Sequence, residues 1–195
     1  MKVHELGLIE YEKARVIMQE IHDQALQDGQ NHLILCSHPN VFTLGSDKST
    51  AFEVPTVASD RGGSITCHTP GQCIFYYCFQ AAHPAQFYKK VLTAFESFFN
   101  DFLPAVKYDK QNPGFYIQNR KIASLGFRYS QGVSLHGVAL NVGVDLDFHT
   151  QVAPCNLEGV LPTSLLQEGV IMSEAEVNAV MLKRIEESFG DHVQT

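Results

Sequence analysis

Apolar residues recur at helical spacing along residues 10–28, at Ala14, Ile17, Met18, Ile21 and Ala25, and Gly29 follows them. That period predicts an amphipathic helix that stops at the glycine. A second stripe, Phe87, Val91, Leu92, Phe95, Phe98, Phe99 and Phe102, comes after Pro84, a residue suited to a first helical turn. So apolar a face predicts a helix packed on a sheet. Ser173 and Glu176 make a capping box ahead of Val177, Val180, Met181 and Ile185, which marks a last helix.

Strands are predicted by shorter apolar runs. Leu33–Cys36 and Val41–Leu44 flank a turn at His38-Pro39-Asn40, and Cys73–Phe79 reads as a buried strand after a Gly/Pro-rich segment, Asp60–Gln72. Residues 115–118 and 121–127 flank a polar Asn119-Arg120 turn as a hairpin, and a further strand is expected at about 133–143. Helices interspersed with hairpins predict an α/β (α+β) fold: a mixed, largely antiparallel sheet covered by helices. No repeat or linker divides the chain, so residues 1–195 are expected to form one domain.

Composition narrows the functional classes. With 45% apolar and 18% charged residues, the chain is an ordinary globular sequence. Its longest apolar runs fall far short of the roughly 20 residues that span a bilayer, so no membrane association is expected. Met1–Glu5 lack the apolar core of a signal peptide, and five cysteines without a CxxC pair suit a reducing cytoplasm. The net charge of −7 argues against nucleic-acid binding. That charge is uneven, however: the stretch Lys89–Arg128 carries +4 and the remainder −11. A basic stretch on an acidic chain is either a solvated face or a dock for an acidic partner.

Four segments hold chemistry unusual for an inert core. Asp60–Gln72 sets Arg61, Ser64, Thr66, Cys67 and His68 around Gly62, Gly63 and Ile65, and adjacent glycines let backbone approach a ligand closely. The Gly-Lys-Ser/Thr element of a P-loop is missing. Lys121 opens a run, Ile122-Ala123-Ser124-Leu125-Gly126, whose small residues leave room for a ligand. A lysine at a strand end is ordinarily solvated; if desolvated, it can exchange protons near neutral pH. His136 precedes Gly137-Val138-Ala139-Leu140-Asn141, and Cys155 follows Pro154 in a loop-like context. A histidine in an apolar strand is commonly a satisfied core residue, whereas a loop cysteine can be exposed and reactive. The nine histidines show no metal-ligand spacing such as HExxH.

Taken together and in this order, Arg61–Gln72, Lys121–Gly126, His136–Asn141 and Pro154–Asn156 resemble the motifs of the octanoyltransferase (lipoyl/octanoyl transferase) family of lipoate biosynthesis. Weaker echoes at Phe42–Gly45, Pro113-Gly114, Asp145-Leu146 with Phe148, and Thr163–Leu165 extend the likeness over about residues 38–166. The chain departs from the family pattern at Cys67 (usually Tyr), Thr69 (Gly), Leu125 (Ile) and Asn156 (Gly). Cys67 and Thr69 flank His68, so a reshaped acyl pocket is expected. Asn tolerates positive φ better than other non-glycine residues, so the turn after Cys155 is expected to survive.

The resemblance implies a fold similar to the biotin/lipoate protein ligase catalytic domain. It also implies a reaction: an octanoyl group passes from octanoyl acyl carrier protein to a lysine of lipoyl domains, such as those of 2-oxoacid dehydrogenase complexes and the glycine cleavage H protein. Cys155 would carry the acyl group as a thioester and Lys121 would be the base. Arg61–His68, Ser124–Gly126 and His136–Ala139 would form the substrate walls, with backbone N–H groups near Gly126 or Gly137 facing the oxyanion. No cofactor and no ATP would be needed, because thioester exchange is near neutral and amide formation runs downhill. Two alternatives stand beside this reading: an ATP-dependent lipoate/biotin-type ligase, which needs no cysteine, and a non-catalytic acyl or lipoyl-domain binder.

Overall fold

The computed structural model describes residues 1–47, 54–152 and 159–193. Its first half runs β1 (Lys2–Leu8), α1 (Tyr11–Asp28), β2 (His32–Ser37), β3 (Val41–Leu44), β4 (Thr56–Ala58), β5 (Ile65–His68) and β6 (Gln72–Cys78). The second half runs α2 (Pro84–Phe102), β7 (Lys107–Asp109), β8 (Gly114–Ile117), β9 (Arg120–Ser130), β10 (Val133–Asn141), α3 (Leu146–His149), β11 (Leu161–Pro162) and α4 (Glu174–Phe189).

The main sheet has the order β1-β2-β6-β10-β9-β8-β7, with β11 added beside β9. Its pairings are antiparallel except β1 with β2 and β11 with β9, which matches the mixed, largely antiparallel sheet expected from the chain. A small second sheet, β4-β3-β5, was not foreseen: β5 lies inside the segment 60–72, whose glycines and prolines suggest only loop. The edge strand β1 escapes prediction too, because none of its residues is fully buried.

Alternation along β6 explains the two layers. Cys73, Phe75 and Tyr77 join the aromatic stripe of α2 and the apolar face of α4, while Ile74, Tyr76 and Cys78 join α1 on the opposite face. Phe95 meets Phe75 edge-on at 5.6 Å, and Phe99 lies 5.1 Å from Phe115, so α2 does pack on the sheet. The capping box at Ser173 and Glu176 forms as expected, and α1 ends at Gly29 with φ 68°. Among the described residues no helix is long and apolar enough to cross a membrane.

Two close backbone approaches bring the chemistry-bearing segments together. A Cβ at Gly137 would sit 1.8 Å from the Phe75 carbonyl oxygen, so only glycine lets β10 lie this close to β6. A Cβ at Gly126 would sit 2.9 Å from the Gly62 oxygen, and Gly62 N–H donates to Phe127 O at 3.1 Å. The loop carrying Arg61 is therefore laid directly over β9. The expected hairpin forms, with its turn one residue earlier than predicted: Gln118 takes φ 53° and Arg120 already belongs to β9.

Candidate active site

Arg61 is buried, and its guanidinium donates to Thr43 O and Thr43 Oγ1, both at 2.9 Å. From Thr43 a chain of buried polar contacts crosses the molecule. Thr43 Oγ1 lies 3.4 Å from His68 Nε2, and His68 Nδ1 lies 2.9 Å from Gln72 Oε1. The amide oxygen can only accept, so the His68 proton sits on Nδ1. Gln72 Nε2 donates to Asn141 Oδ1 at 2.8 Å, and Asn141 Nδ2 donates to Thr163 O at 2.8 Å. Thr163 N–H in turn donates to Lys121 O at 2.9 Å. One network thus ties the Arg61 loop to the strand that carries Lys121.

Arg61, Thr66, His68, Ser124, Leu125 and Gly126 enclose an inner cavity together with His136, Gly137, Val138 and Ala139. Ten of the residues expected from sequence to bind substrate thus meet at one place. Tyr11, Ile74 and Tyr76 complete it. The signal for the last two is the β6 alternation, which sends Ile74 and Tyr76 to one side. Tyr11, far away in sequence, carries no such signal; its hydroxyl donates to Ser59 Oγ at 2.7 Å. The cavity measures about 30 Å³, room for one water.

His136 is 1% exposed and adopts φ 63° within a strand, a conformation costly for a non-glycine residue. Its Nε2 lies 2.7 Å from Asp60 Oδ1, so Nε2 is the donor. Asp60 also pairs with Arg128. His136 Nδ1 has no partner among the described residues, so this histidine is only half satisfied. Burial lowers its pKa to about 4 in spite of Asp60, lowers that of His149 to about 4, and holds that of His68 well below the usual value.

Lys121 is 3% exposed, contrary to the solvated strand end that its position suggests. β9 is paired on both sides there: Lys121 faces Tyr116 of β8 and Pro162 of β11. Its Nζ lies 5.4 Å from the centre of the Tyr116 ring. Gly114 makes space for the side chain, since a Cβ there would lie 2.6 Å from Lys121 Cε and 2.9 Å from Ala123 O. Lys121 lines a second, polar cavity with Ile65, Thr66, Cys67 and Ser124; Gln72, Asn141, His149, Val152 and Pro162 close it. Thr66 and Ser124 border both cavities.

Several expectations are corrected by this arrangement. Cys67 lines the Lys121 cavity and not the inner one, and Thr69 lies on neither, contacting His149 Nε2 at 3.1 Å. Gly62, Gly63 and Ser64 border an outer groove, which Leu125 and Gly126 share with the inner cavity. Cys155 and Asn156 lie outside the described residues. The residues that flank their segment are nonetheless placed: Val152 lines the Lys121 cavity, and Gly159 O accepts from Asn119 Nδ2 at 2.9 Å. The other four cysteines are buried. Burial pushes the Cys67 and Cys78 thiols up to about 12 and raises Cys36 and Cys73 as well, so none is an ionised nucleophile near neutral pH.

The mixed, largely antiparallel sheet flanked by helices is a fold shared with solved lipoate and biotin protein ligases. A T. acidophilum protein described as a putative lipoate protein ligase, solved with bound lipoic acid, superposes with a TM-score of 0.73 at 13% identity, covering 99% of this chain and 87% of that one. The biotin protein ligase of Aquifex aeolicus gives a TM-score of 0.54 at 14% identity, covering 97% and 69%. Residues 10–186 match the lipoyl protein ligase A/B catalytic domain, and the chain belongs to that family. Its relatives include the octanoyltransferase of Psychromonas ingrahamii, 31% identical over all of this chain and 95% of that protein.

Proposed function

We propose that this protein is an octanoyltransferase of lipoate biosynthesis, which moves an octanoyl group from the thioester of an acyl carrier protein to a lysine ε-amine of a lipoyl domain. The observation that carries the reading is the junction of the two cavities. The inner one is walled by small and apolar residues of β9 and β10 together with Arg61, His68, His136 and two tyrosines; the other holds Lys121, and Thr66 and Ser124 border both. The segment bearing Cys155 leaves from Val152 on the Lys121 cavity and returns as β11 against Lys121 itself.

Cys155 attacks the donor carbonyl while Lys121 accepts the thiol proton. Collapse of the tetrahedral intermediate breaks the bond to the donor sulfur, and Lys121 returns the proton to that departing thiolate. An acceptor lysine amine then attacks the acyl-enzyme. Lys121 takes its proton and passes it to the Cys155 thiolate, leaving an amide. Burial of the acyl chain supplies about 0.8 kcal/mol for each methylene. An eight-carbon chain does not fit into about 30 Å³, so its binding displaces part of the lining.

Incubation with octanoyl carrier protein and without ATP should add one octanoyl group by intact mass. Cys155→Ser should carry no thioester, and its adduct should not pass to a lipoyl domain. Absence of any adduct on the unaltered protein refutes the transferase and leaves a ligase or binder. A second test concerns Gly114, whose replacement by alanine puts a Cβ 2.6 Å from Lys121 Cε and 2.9 Å from both the Tyr116 ring and the Ala123 carbonyl oxygen, so that Lys121 and Tyr116 must shift. Because misplacement by about 1 Å can cost on the order of 100-fold, Gly114→Ala should lower kcat by about 10- to 100-fold with KM little changed. Steady-state transfer kinetics read this directly, and an unaltered kcat contradicts it.

A further inference from the structure

We propose that the outer groove receives the pantetheine arm of the acyl donor, an inference that rests on the transfer reaction above. This groove lies between the Gly62–Ser64 loop and the turn Gln111–Pro113, over Phe127, and measures about 420 Å³. That is the range of clefts that hold small molecules, and far more than the inner cavity. It opens where β8 stops pairing at Gly114 and leaves the far half of β9 without a strand on that side.

Its position suits a thioester arm. Leu125 and Gly126 line both the groove and the inner cavity, so the two lie side by side along β9. Pro113 lines the groove and precedes Gly114, against which Lys121 Cε packs.

Its chemistry suits pantetheine in particular, a chain of two amides, short methylene spacers, a geminal dimethyl group and a hydroxyl, ending in a phosphodiester. Tyr88, Phe127 and Tyr129 offer apolar faces, and Gln111 and Asn112 bring primary amides. Ser64 is 7% exposed, lines the groove, and its hydroxyl has no partner among the described residues. A buried hydroxyl left unpaired in the protein alone is a ready contact for an amide that arrives with the donor.

The basic residues near the groove favour this occupant over the cationic lysine of the acceptor. Lys89 and Lys110 are exposed, and each is the chain neighbour of a groove residue, Tyr88 and Gln111 respectively; Arg128, beside Phe127, pairs with Asp60. Asp47 is the one carboxylate on the groove among the described residues. Two exposed lysines of the basic stretch thus adjoin groove residues along the chain, on the side where a phosphodiester on an acidic carrier would end.

The test compares acyl-enzyme formation from S-octanoyl-pantetheine and from S-octanoyl-N-acetylcysteamine, which shares the leaving thiol and first amide but lacks the rest of the arm. The unaltered protein should prefer the pantetheine ester by at least about tenfold in kcat/KM, the order that one or two hydrogen bonds provide. Ser64→Ala should erase most of that preference by slowing the pantetheine ester alone, with Tm equal to or above that of the unaltered protein. Gln111→Trp, at an exposed position, should obstruct the groove with the same selectivity. Equal rates from both esters in the unaltered protein, or an unchanged preference in both variants, overturns the proposal while leaving the transferase standing. Failure of either ester to acylate the unaltered protein instead removes the transferase reading and this one with it.

Discussion

Lys121→Ala should slow octanoyl transfer by about 10²- to 10⁴-fold, the usual contribution of a positioned general base. The loss should fall on both half-reactions, since the same amine serves thiol, leaving group and acceptor. Single-turnover acylation followed by chase with a lipoyl domain separates them. Lys121→Arg sharpens the experiment. Arginine places a fixed positive charge beside the Tyr116 ring and does not release a proton in a protein. It should be as slow as alanine if Lys121 moves protons, and nearly as fast as lysine if it merely supplies charge. Restored activity in the arginine variant, or an alanine variant slowed in neither step, contradicts the proposed role.

Acid should unfold this protein early. His136 and His149 are buried, and both are held neutral down to about pH 4. In the unfolded chain each titrates near the ordinary value of about 6.5. Between these limits the unfolded state binds more protons, so stability falls as pH falls, by about 1.4 kcal/mol per pH unit for each histidine. The contribution is intact above about pH 6.5 and is lost by about pH 4, on the order of 3 kcal/mol from each group. His68, fully enclosed and shifted the same way, adds to the loss. Against a typical total of about 5–15 kcal/mol, this is a large fraction. Urea denaturation at pH 7.5, 6, 5 and 4 measures it, and a midpoint that stays constant through that series rules it out.

Much of the architecture is legible in the chain because its signals are local. The 3.6-residue stripes of α1, α2 and α4 and the run in β6 each bury a face that the sequence itself marks. β5 and β1 are not legible: β5 hides between glycines, and β1 is an edge strand that gains a parallel partner only across α1. The site divides along the same line. Short motifs locate the inner cavity, since ten residues of three segments converge there. The burial of Lys121 is invisible because it depends on Tyr116 from one neighbouring strand and Pro162 from another. The link from Asp60 to His136 spans 76 residues, and no local pattern announces it.

The return of the Cys155 segment as β11 has a consequence for how this protein varies. Leu161 and Pro162 lie alongside Arg120 and Lys121, and Thr163 secures the Lys121 carbonyl. The strand that follows the proposed nucleophile in sequence thus supports the backbone of the proposed base. Changes at Leu161–Thr163 and at Lys121 are therefore epistatic, and their effects do not add. Such a lineage can lose its chemistry through drift in this two-residue strand and its neighbour, and the second of two such losses costs little once the first has occurred.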